Sequence, residues 1–141
     1  MGLFSSSDET FDSKTPPIDP AWGKSPKGHF YRLAHLEPDE VGLPGLGGVY
    51  VVWHKGVRPE WLYVAATEDL GKALMQALED TDISSYEPRG GLWCTWAPIR
   101  PEFRNGVVLY LRKLLKTVIP PKPADEIEEG SVQPVAVLPP G

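Results

Sequence analysis

The chain of 141 residues is 41% hydrophobic and 23% charged, with one cysteine and a formal net charge of −5. Its length suits one domain. The acidic balance argues against a general nucleic-acid binder, lone Cys94 rules out an intramolecular disulfide and a cysteine-built zinc site, and no apolar run approaches the roughly 20 residues needed to span a bilayer.

Residues 1–28 carry Ser5, Ser6, Ser7, the Pro16-Pro17 pair, Pro20 and Pro26, with few large apolar side chains. They bury too little apolar surface to offset the entropy of ordering, so a disordered N-terminal segment is expected. MGLFSSSDET lacks the charged start and apolar stretch of a signal peptide, which favours a cytoplasmic location. Gly2 with Ser6 fits the loose N-myristoylation pattern.

His29–Leu36 is apolar enough for an edge strand, and Pro38 with the glycines between 42 and 48 makes a loop. Val49–Trp53 is β-branched and aromatic, a strong strand signal. After a turn at His54–Glu60, Trp61–Ala66 reads as a second strand, so the pair forms an antiparallel hairpin. Thr67 is placed to cap a helix whose buried stripe is Leu70, Ala73, Leu74, Ala77 and Leu78. Glu79, Asp80 and Asp82 read as a polar helix end, since the glycine and glutamate of a calcium loop are missing. Leu92–Ala97 is a third core strand, on which Trp93 and Trp96 have opposite parity. Asn105 is expected to cap a last helix, with Val107, Leu111, Leu114, Leu115 and Val118 buried. Pro120-Pro121 ends it. Residues 122–141 are Pro-rich and hold the acidic run Asp125-Glu126-Ile127-Glu128-Glu129, which predicts a disordered tail.

The order (β)-β-β-α-β-α predicts a small α/β sandwich in a domain spanning 29–121. A short mixed or antiparallel sheet of three to four strands is packed by two or more helices.

Several side chains are candidates for chemistry. Tyr50 and Tyr63 either pack across the sheet or line a ligand cleft. Trp93 and Trp96 are candidate contact residues, because aromatics are enriched at interfaces. Arg100, Arg104, Arg112, Lys113 and Lys116 face only Glu102, so this stretch either contacts phosphates or is a solvated helix face. His29, His35 and His54 lack a metal-ligand spacing and read as solvated. Cys94 reads as core filler. Neither a phosphate-binding glycine loop nor a Gly-x-Ser-x-Gly elbow is present.

The two triplets Gly48-Val49-Tyr50 and Tyr63-Val64-Ala65, the threonine before the amphipathic helix, and the distal helix ending in Pro-Pro together resemble the GIY-YIG nuclease superfamily over about residues 43–121. The resemblance implies a water-activating tyrosine in the first triplet, a phosphate-stabilising arginine on the first helix and a glutamate on the later helix that binds a divalent metal, commonly magnesium. Tyr50 and Tyr63 match the tyrosines. Ala65 stands at the second-triplet glycine, Ala73 at the arginine and Leu111 at the glutamate. This implies a degenerate member with no catalytic residues and no cofactor, acting as a protein-interaction module for an unidentified protein partner. The alternatives are a nucleic-acid binder working through Arg100–Lys116, with Arg104, Arg112 and Lys116 as contacts, and a magnesium-dependent endonuclease with a rearranged site.

Overall fold

The structure, a computed structural model, describes residues 16–141. The expectations for residues 1–15, Gly2 and Ser6 included, lie outside the described residues. Four antiparallel strands, β1 (Tyr31–Arg32), β2 (Gly48–His54), β3 (Glu60–Thr67) and β4 (Leu92–Pro98), form one sheet in the order β1-β4-β2-β3. The helices are α1 (Leu70–Glu79), the single turn α2 (Thr81–Ser84) and α3 (Pro101–Leu115). The chain is thus an α/β fold, as its hydrophobic patterns predict.

Strand β2 is paired on both edges and covered on both faces, so every one of its residues is buried. That explains its unbroken Val-Tyr-Val-Val-Trp run, where a half-exposed strand would alternate. Side-chain parity divides the core in two. Tyr50, Val52, Tyr63, Ala65, Leu92, Cys94 and Trp96 pack with α1 on one face. Val49, Val51, Trp53, Val64 and Ala97 pack with Val107, Val108 and Leu111 of α3 on the other. Helix α1 is capped by Asp69, whose side chain accepts from Lys72 N–H, while Thr67 Oγ1 accepts from Asp69 N–H. The expected cap residue therefore orients the actual one.

Three expectations are corrected. Only Tyr31 and Arg32 of His29–Leu36 form a strand, and Leu33–His35 is a 3₁₀ turn. The turn lets Leu33 and Leu36 both enter the core, whereas at a spacing of three a strand would point them to opposite faces. Helix α3 begins at Pro101, not after an Asn105 cap. Proline is pre-set for the first helical position and its missing N–H is not needed there. Of the expected α3 stripe, Leu114 is 47% exposed and Val118 is exposed too, while Val108 is buried. The helix stops at Lys116 in the left-handed conformation (φ 54°), which turns the chain back toward β3, where Val118 N–H donates to Trp61 O.

The largest correction concerns residues 16–28 and 122–141, within the segments expected to be loose. Residues 122–141 lie across the domain. Val137 is buried, Ile127 and Val135 pack on the α3 side of the core, and Val135 N–H donates to Gly106 O. Residues 16–28 are tied to them: Ile18 forms a parallel bridge with Val137, and buried Trp22 donates through Nε1 to Leu138 O. Gly23 N–H bonds Trp96 O, and Thr95 Oγ1 donates to Gly23 O. A few isolated apolar residues suffice because Trp22, Ile127, Val135 and Val137 each pack into the existing core.

Candidate functional site

The β2–β3 register sets Tyr50 opposite Ala65 and Val52 opposite Tyr63. The two tyrosines are therefore diagonal neighbours on the α1 face, with ring centroids 6.3 Å apart. Opposite them α1 presents Ala73 and Ala77, two of the smallest side chains available. The shortfall in volume leaves a cleft of about 260 Å³, lined also by Gln76, Asp80, Lys122 and Asp125.

The chain's own C-terminal segment forms one wall of this cleft. A 3₁₀ turn at Pro123–Asp125 lays Asp125 against Tyr63. The Tyr63 hydroxyl donates to Asp125 Oδ2 at 2.5 Å and accepts from Lys122 N–H at 2.8 Å. Lys122 Nζ pairs with both Asp80 and Asp82, whose backbone N–H is in turn capped by Asp80. Arg112 anchors the same turn from the other side, donating from Nη2 to Asp125 O at 3.0 Å and from Nε to Val64 O at 3.1 Å. Burial pushes the hydroxyls of both Tyr50 and Tyr63 well above the ordinary tyrosine range, and the Asp125 carboxylate pushes in the same direction. Burial also lowers the Arg112 guanidinium. A tyrosine that activates water needs a proton affinity near the operating pH, and these two are held protonated.

The residues singled out in the sequence fall in different places. Tyr50, Tyr63 and Ala73 converge on the cleft. Leu111 is fully buried among the α3-side residues, on the opposite face of the sheet. Ala65 is buried opposite Tyr50. Arg104 donates from Nε to Ile99 O and its guanidinium lies against Gly47, where a Cβ would collide with it. Lys116 is exposed at the end of α3, as is Lys113, and Arg100 pairs with Glu102. Trp93 and Trp96 do point to opposite faces, but Trp96 is buried and Trp93 half-buried. The five tryptophans do not form an exposed surface. Cys94 is buried in the core, where burial pushes its thiol up to about 12.

The donors in the cleft do not fit a magnesium ion, which takes near-octahedral oxygen ligands. Asp125 is bonded to Tyr63, Asp80 is paired with Lys122, and Leu111 lies beyond the sheet.

Sequence reasoning missed Lys122 and Asp125, which arrive from about 60 residues away and carry no local signature. It also misplaced His54. This side chain is buried, not solvated: Nε2 lies 3.0 Å from Glu60 Oε1, Nδ1 lies 3.1 Å from Gly56 N and 3.2 Å from Arg89 O, and the ring stacks on Tyr86. The signal available was position, since His54 continues the run of β2.

No family model matches the chain, and no curated protein or solved structure matches it.

Proposed function

We propose that this domain is a non-catalytic scaffold of GIY-YIG type that binds a protein partner. The observation that carries the reading is the engagement of the Tyr63 hydroxyl by the chain's own Lys122–Asp125 turn, where it donates to Asp125 and accepts from Lys122 N–H. A hydrolytic site must admit its substrate to the reacting groups. Here the Tyr63 hydroxyl is hydrogen-bonded internally, to Asp125 and Lys122 N–H, and the helix opposite offers alanines where a cation is needed to stabilise a phosphate transition state. Arg104 and Arg112 are likewise spent on backbone carbonyls. The test is incubation of the full chain with branched DNA and magnesium or manganese. No cleavage is expected. Metal-dependent cleavage that disappears in Tyr50→Phe would overturn the reading.

A second reading, a nucleic-acid binder without cleavage, is favoured by one observation: Lys113 and Lys116 are both exposed at the C-terminal end of α3. It predicts salt-dependent anisotropy of a labelled DNA that is weakened, with a smaller salt slope, by Lys113→Glu with Lys116→Glu. Unchanged binding in that double variant removes it.

A further inference from the structure

We propose that the end of the sheet formed by the β2–β3 turn and the loop entering β4 is a docking site for an acidic peptide segment of the protein partner. This rests on the scaffold reading above. A cleft of about 690 Å³ opens there, with Lys55, Val57, Arg58, Pro88 and Arg89 in its walls. The nearby acids are already engaged. Glu60 is bound to His54, and Glu87 is bound to Arg32 (2.6 Å) and Leu92 N–H (2.8 Å). Lys55, Arg58 and Arg89 form no ion pair with any described residue. Lys55 Nζ sits 3.9 Å over the Trp93 ring, and Trp93 Nε1 and Arg32 Nε are buried without an acceptor among the described residues. Glu60 also lines the cleft, but against it stand three cations without an ion pair among the described residues, so the region is net positive.

The platform is preformed. Gly90, at φ +84°, packs so closely on the Lys55 carbonyl that a Cβ would collide with it, and Lys55 N–H donates to Gly91 O. The His54 ring, stacked on Tyr86, packs the turn against the loop from beneath. A rigid site loses little conformational freedom when it binds.

Val57 decides between anionic partners. It is fully exposed, standing between Lys55 and Arg58. A phosphate backbone offers it nothing to bury against. A peptide that alternates carboxylates with aliphatic side chains satisfies the cations and covers Val57 together.

The test is an anisotropy titration of the full chain with a labelled peptide of alternating glutamate and leucine, beside a glutamine–leucine peptide and a single-stranded oligonucleotide. The glutamate peptide is expected to bind and the glutamine peptide not. Arg58→Glu with Arg89→Glu should weaken binding about tenfold or more, Val57→Ser severalfold, and Lys113→Glu with Lys116→Glu not at all. All these positions are exposed, and a thermal melt confirms that each variant folds. No binding of the glutamate peptide at low salt overturns the proposal. So does equal loss in the α3 variant, or an oligonucleotide that binds through Arg58 and Arg89, is indifferent to Val57→Ser and outcompetes the peptide. Failure of the scaffold reading shows separately, as DNA cleavage lost in Tyr50→Phe.

Discussion

Tyr63, Tyr50 and Cys94 share one condition: each is held in its neutral form by burial. When the folded state keeps a proton that the unfolded chain releases, stability falls as pH rises. For Cys94 the unfolded value is about 9 and the folded value about 12, so its contribution is intact below pH 9 and is lost between those limits. The tyrosines add a loss that begins near pH 10, their ordinary value. Urea midpoints should therefore be flat from pH 7 to 9 and decline above, and Cys94→Ala should flatten the first part of the decline. Leu111 makes a different point at the same scale. It is fully buried, so Leu111→Ala should destabilise by about 2–5 kcal/mol in urea unfolding. Leu111→Glu should leave the protein unfolded without creating a metal site, because a carboxylate there is on the wrong face of the sheet and has no partner.

Among the elements, α3 shows how a helix can serve two surfaces. Its Val107, Val108 and Leu111 pack on the sheet, while Gly106 lets the C-terminal segment approach, with a would-be Cβ only 2.5 Å from Gln133 O. Gly106→Ala should raise the intrinsic helicity of α3 yet lift residues 133–137 away. Hydrogen exchange checks this: the Val135 amide should lose protection while the α3 amides keep theirs. The core elements were legible in the sequence because their patterns are local. The β-branched run of β2, the turn after it and the 3.6-residue spacing of α1 each give a direct physical signal. The start of α3 was misplaced because Asn105 resembles a cap and Pro101 resembles a strand terminator, and proline serves either role. The site was legible in half. Tyr50, Tyr63 and Ala73 come together because hairpin register and helix face fix them, but nothing near Asp125 announces that it will bond a tyrosine 62 residues earlier.

For the whole molecule, residues 122–141 are part of the folded unit. Composition fails here because it averages. Ile127, Val135 and Val137 are sparse among prolines and acids, yet each is seated in a core the rest of the chain has built. Removing residues 122–141 should lower the melting temperature and expose Tyr63, seen as increased quenching of tyrosine fluorescence by acrylamide. A tail that contributed nothing would leave both unchanged.

The bridge between Ile18 and Val137 has a mechanical consequence. The two segments run parallel, and the bonds from Ile18 N–H to Ala136 O and from Leu138 N–H to Ile18 O lie side by side. Tension applied before residue 18 and after residue 138 pulls these segments in opposite directions along their length. Both bonds are then stretched together, in shear, and cannot be unzipped one at a time. The Trp22 side chain, bonded to Leu138 O, shares the load. The seam is a clamp that joins the two pulled ends directly, in parallel with the domain, and under traction it must yield before force reaches the sheet.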